Sequence, residues 1–188
     1  MLSVKKISIK AFSLNLILLS MCFNNGVLFS ATASVTANTD NGTEQSGTLS
    51  LAISTVPTAI SIESSATPMT LTGNMPSITS TVTFQSDAAS SSRTINAGTF
   101  TSLSITGATS TVPVEVTLNS DVILNNSSTN ITIPQHSALI INGSNNSSII
   151  QMSCGNLYDY GAVSLTDYAV IACSTLYIEN GAIVTGCG

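Results

Sequence analysis

The chain has 188 residues, room for one ordinary domain and a targeting segment, so any core must be built once and kept simple. Charged residues are only 7% of it, against roughly 25% in an average globular domain, and after Lys5, Lys6 and Lys10 the single cation is Arg93. That balance excludes an electrostatic footprint for nucleic acid or an anionic membrane. The 43% hydrophobic share, with Ser, Thr and Asn as the polar remainder, favours strands and turns over helix.

MLSVKKISIK is a basic start, AFSLNLILLSMCF an apolar run, and Ala31-Thr32-Ala33 an A-x-A cleavage site before Ser34. This is the layout of a secretory signal peptide over 1–33, with an apolar run too short to span a membrane. It predicts a secreted, extracellular or outer-membrane-surface protein. Leu19-Ser20-Met21-Cys22 resembles a bacterial lipoprotein box, which makes Cys22 a candidate lipidation site, although Met21 stands where a small residue is normal. The competing reading is a cysteine in an apolar signal core. Cleavage after Ala33 would remove Cys22 and leave Cys154, Cys173 and Cys187, an odd number.

Over 34–110 the segments SLAIS, TAISI, MTLTG, STVTFQ, TINAG and TSLSITG read as short alternating strands, with Pro57, Pro68 and Pro76 confining some to edges or starts. They are expected to form an N-terminal cap, early coils or a Ser/Thr-rich spacer. Over 111–188 short apolar clusters recur every six to ten residues from Val122-Ile123-Leu124 to Ala182-Ile183-Val184, separated by turn formers such as Asn142-Gly143 and Asn180-Gly181.

One phrase is written twice there: CGNLYDYGAV from Cys154 and CSTLYIENGAI from Cys173. Leu157-Tyr158 returns nineteen residues on as Leu176-Tyr177, and Gly161-Ala162-Val163 twenty on as Gly181-Ala182-Ile183. A sandwich of antiparallel hairpins, the alternative all-β fold, gives no reason for that return. A three-sided parallel β-solenoid, or right-handed β-helix, with coils of about 20 residues does, because each coil lays a side chain over its counterpart in the next. On that arrangement Tyr158 stacks on Tyr177, and Val163, Ile171, Leu176 and Ile183 face inward. Cys154 and Cys173 lie within disulfide reach, or are simply two small buried hydrophobes.

A signal peptide, a Ser/Thr/Asn-rich exterior and coils of this length look like the passenger regions of bacterial surface proteins with pectin-lyase-like β-helices. Tyr177-Ile178-Glu179-Asn180-Gly181-Ala182-Ile183 resembles the FxxN and GGAI repeats of chlamydial polymorphic membrane proteins. Tyr replaces Phe, one Gly is missing, and Tyr160 stands in the first copy where Asn180 stands in the second. Those proteins end in a translocator barrel, which this chain is too short to include after its repeats. The resemblance implies a surface adhesin and transfers no site residue.

For chemistry, a polysaccharide lyase needs a cationic group beside its uronate, and Arg93 is the only one on offer. A carbohydrate-active hydrolase needs paired carboxylates, and Asp159 and Glu179, twenty apart, are the candidate pair, with Asp167 near in sequence. Stacked carboxylates would raise one pKa or bind calcium, whereas two solvated acids at turns need no function. His136 follows Pro134-Gln135 with no second His or Cys near, so it reads as a surface residue. The Asn-x-Ser/Thr sites mark turns at most, and no Thr-x-Thr row repeats as an ice-binding array would require.

No cofactor and no metal is expected. The reading is a non-enzymatic adhesin-like or structural display element with an uncharged Ser, Thr and Asn strip facing a host or neighbouring-cell protein or carbohydrate. Membrane attachment would run through Cys22 or another chain. If the chain is a truncated autotransporter-like product, its last coil would be open to edge-mediated self-association.

Overall fold

The structure, a computed structural model, describes residues 31–88, 91–126, 128–143 and 149–186. Cys22, Cys187 and nearly all of the 1–33 segment lie outside those residues. With 6% helix and 46% strand, the protein is almost all β, and its strands run parallel.

The first sheet contains β1 (Thr32–Val35), β3 (Ala59–Ile62), β5 (Val82–Ser86), β7 (Val114–Leu118), β10 (Ser137–Asn142), β12 (Ala162–Thr166) and β14 (Ile183–Gly186), hydrogen-bonded in that order. The second contains β2 (Thr39–Asp40), β4 (Met69–Leu71), β6 (Arg93–Asn96), β8 (Val122–Asn126), β11 (Met152–Asp159) and β13 (Ile171–Ile178). The chain thus alternates between sheets while each strand lies parallel to its neighbours. β9 (Ile131–Ile133) interrupts the alternation, because β11 is long enough to pair with β8 through Met152–Cys154 and with β9 through Leu157–Asp159. Both sheets run across position 110, since β5 pairs with β7 and β6 with β8.

The period-2 patterns decide what is inside. In the first sheet Ile60, Phe84, Leu118, Ile141 and Leu165 stand in register as one inward row, and Val82, Val116, Leu139, Val163 and Val184 as another. In the second, Met69, Ile95, Leu124, Met152 and Ile171 make the facing row. Most of these side chains are fully buried in one apolar cluster, each contributing about 1.5–3 kcal/mol by leaving water. The stack is held by aliphatic shape; among the described residues the acidic and basic side chains buried with it are Arg93, Asp40 and Asp159.

Two expectations for the N-terminal half are corrected. SLAIS is not a strand but most of α1 (Leu49–Ser54). Leu49, Ala52 and Ile53 are spaced i, i+3 and i+4, so they fall on one buried helical face. Thr48 caps the first turn, and buried Asp40 accepts from Ser50 N at 2.6 Å and from Ser50 Oγ at 2.9 Å. TSLSITG forms no strand and makes only an isolated bridge between Ile105 and Ile78.

The coil length is also corrected. Between β11 and β13 the paired positions are Cys154 and Cys173, but between β5 and β7 they are Val82 and Val116. The first step is close to the expected length of about 20 residues and the second is well over half as long again, so one step length describes only the last strands of the chain. Register survives this variation because extra residues sit at the corners, outside the ladders.

Candidate functional site

The twice-written phrase occupies β11 and β13, which pair over seven positions. Cys154 lies opposite Cys173, Leu157 opposite Leu176 and Tyr158 opposite Tyr177. The tyrosine rings stack with centroids 4.7 Å apart and planes 4° from parallel, the contact that the repeat predicts. Burial changes parity within β11: Met152 and Cys154 are buried, then Leu157 and Asp159. The parity changes across Gly155 and Asn156, and a Cβ on Gly155 would come 3.1 Å from Asn130 Oδ1 and 3.2 Å from Thr129 O.

Both cysteines are free thiols, Cys154 buried and Cys173 partly exposed. Burial, reinforced by the neighbouring Cys173, pushes the Cys154 thiol up to about 12.

The repeat misplaces two of the four inward residues. Val163 is buried and Ile171 packs on the core, but Leu176 is 43% exposed and Ile183 59%. Leu176 sits in the correct ladder, on Leu157, yet β13 has no further strand over it among the described residues. Ile183 is in the wrong ladder. It pairs with Ala162 on the outer side, and Val184 takes the inward place over Val163. The step from β12 to β14 is one place longer than the repeat implies, because the corner after β13 is two residues longer than the corner after β11. Gly181 turns that longer corner with φ of 92°.

A shorter step, that between β11 and β13, separates the candidate carboxylates. Asp159 lies opposite Ile178, not Glu179, and the two acids are joined only by Glu179 N donating to Asp159 O at 2.9 Å. Asp159 is fully buried, its Oδ1 accepting from Gly161 N at 3.0 Å and its Oδ2 without a partner. Burial raises its pKa above the ordinary value, partly offset by the Gly161 hydrogen bond. Glu179 is exposed. The pair is thus one buried acid and one exposed acid, not two carboxylates stacked in register.

Arg93 is also committed. It is 5% exposed and forms an ion pair with Asp87, with Nε also donating to Ile62 O at 3.2 Å. The Arg93 hydrogen bond is the main reason Asp87 sits below the ordinary carboxylate value. His136, at the corner before β10 with φ of 65°, is exposed and lines an open cleft of about 340 Å³ with Tyr160, Gly161 and Asn180. Among the described residues no three His, Cys, Asp or Glu side chains converge as metal ligands would.

A feature outside the repeat is an outward row on the second sheet. Thr70, Asn96, Asn125 and Ser153 stand in register, alternating with the inward Met69, Ile95, Leu124 and Met152. Asn125 Nδ2 donates to Asn96 Oδ1 at 3.2 Å, and Ser153 Oγ donates to Asn125 Oδ1 at 2.8 Å. Thr94, Ile123 and Ile150 border the row across an open groove of about 420 Å³. Spacing alone does not reveal it, since the steps from Thr70 to Asn96, to Asn125 and to Ser153 are all unequal.

Compared with known protein families, known proteins and solved structures, the chain finds no match in any of the three.

Proposed function

We propose that the chain is a secreted or surface-exposed parallel β-solenoid, of the right-handed β-helix kind, acting as a non-enzymatic adhesin-like or structural display element. Support for the solenoid comes from alternation between two sheets, interrupted only by β9 among the described residues, with parallel pairing in each. The observation that carries the functional reading is the outward row of Thr70, Asn96, Asn125 and Ser153. Amide and hydroxyl groups held in register on a rigid sheet, beside an apolar groove, offer oriented hydrogen bonds and a flat surface without charge. That chemistry fits the hydroxyls of a neutral glycan or the polar surface of a protein. Catalysis by Asp159 and Glu179 is disfavoured by their register, and lyase chemistry by the burial of Arg93 against Asp87.

The test is glycan-array and cell-surface binding by the exported chain beside Asn125→Lys, which places a bulky charge in the middle of the row. Binding lost in the variant with folding intact is the expected result. Turnover of any glycan by the parent chain, abolished in Asp159→Asn, would overturn the non-enzymatic reading. Protease treatment of intact cells should remove the protein if it is surface-exposed.

A further inference from the structure

The pair of thiols on β11 and β13 is not needed by the display reading and is independent of it. Cys154 and Cys173 are directly opposed on adjacent parallel strands. Strand spacing of about 4.8 Å puts their Cα atoms inside the roughly 4.4–6.8 Å window of a disulfide. Their surroundings differ in a useful way. Cys154 belongs to the buried core, whereas Cys173 lies on the last strand of the second sheet and is partly open to solvent. β13 is held by β11 alone among the described residues, so no second neighbouring strand fixes the Cys173 side of the pair.

We propose that Cys154 and Cys173 form a dithiol site that a small disulfide oxidant converts into an intrachain cross-link, with Cys173 attacking first and Cys154 resolving. In the first step the Cys173 thiolate attacks one sulfur of the oxidant, forming a mixed disulfide and expelling one thiolate. In the second, Cys154 gives up its proton to solvent and attacks Cys173 Sγ, expelling the other. Two protein thiols become one disulfide and the oxidant becomes two thiols, so electrons and protons balance. The order follows from access and acidity: the buried thiol with the raised pKa is the poorer first nucleophile. The product ties an end strand of the second sheet to its neighbour.

The experiment uses the reduced exported chain exposed to oxidised glutathione between about pH 7 and 9, quenched by alkylation at intervals, digested and mapped by mass. The expected outcome is a Cys154 peptide joined to a Cys173 peptide with two hydrogen masses lost, preceded by a glutathione adduct on Cys173. Its closing step should quicken as pH rises. Cys154→Ala should stop at the Cys173 adduct, and Cys173→Ala should leave Cys154 unmodified. The time course in the parent chain decides the matter if either variant fails to fold. Adducts appearing first on Cys154, a link from either residue to Cys187, or persistence of both thiols would each overturn the proposal.

Discussion

Leu157→Ala and Leu176→Ala delete the same atoms from the two copies of one motif, and the structure assigns them different costs. Leu157 is 1% exposed and lies between Ile131 on β9 and Leu176 on β13. Its truncation leaves a closed void, for which Leu→Ala changes cost about 3–5 kcal/mol. Leu176 is 43% exposed. Its loss opens to water rather than enclosing a cavity, so only a little over half of a transfer contribution of roughly 1.5–3 kcal/mol is at stake, about 1 kcal/mol. The difference is about 2–4 kcal/mol, and with a urea dependence of roughly 2 kcal/mol per molar the two midpoints should separate by about 1 M or more. Far-ultraviolet circular dichroism with tyrosine fluorescence, the chain having no Trp, measures both. Equal midpoints, or a larger loss in Leu176→Ala, would refute the claim that one copy is enclosed and the other lies on an uncovered strand.

Asp159 has a raised pKa, so its favourable protonated state is fully present below about 3.8 and its contribution is lost as pH climbs through the raised value. Thermal melts should show Asp159→Asn gaining on the parent chain as pH rises toward neutral; a constant difference would count against the burial. Asp87 has the opposite sign: its contribution is present above about 3.8 and fades as pH falls through its lowered value. Arg93→Met should therefore destabilise at neutral pH, with the gap narrowing in acid. The two repeat glycines should fail differently. A Cβ on Gly161 would lie 2.3 Å from Ser137 O and 2.4 Å from Pro134 O, while Gly181 has open space and only a left-handed φ. Gly161→Asn should cost about 1–3 kcal/mol by overpacking, whereas Gly181→Asn should stay within about 1 kcal/mol, both read from urea midpoints.

The parallel pairing was legible from the repeated motif, and Val163 and Ile171 as inward residues because strands of Val, Ile, Leu and Thr show their buried face at every second residue. So was the Tyr158–Tyr177 contact, from one repeated dipeptide. Corners were not legible. A repeat counted as about twenty conceals two different steps, Cys154 to Cys173 and Val163 to Val184; the longer turns Ile183 outward and the shorter parts Asp159 from Glu179. SLAIS escaped because five residues of alternation also satisfy one helical turn, and what decides between them is a cap at Thr48 and the carboxylate of Asp40. The Asn96, Asn125 and Ser153 row escaped because its members are neighbours only after corners of unequal length have been folded.

The ion pair between Arg93 and Asp87 has an effect well beyond its own pocket. With the one cation after residue 10 sealed inward, the formal charges left on the described exterior are all acidic. A partner meeting the outward row therefore finds no positive group to pair with and few negative ones to repel it. Association there should change little between low and high ionic strength, whereas a contact resting on opposite charges would weaken steeply as salt is added. A salt titration of binding thus reads out, from the outside, where a single arginine is kept.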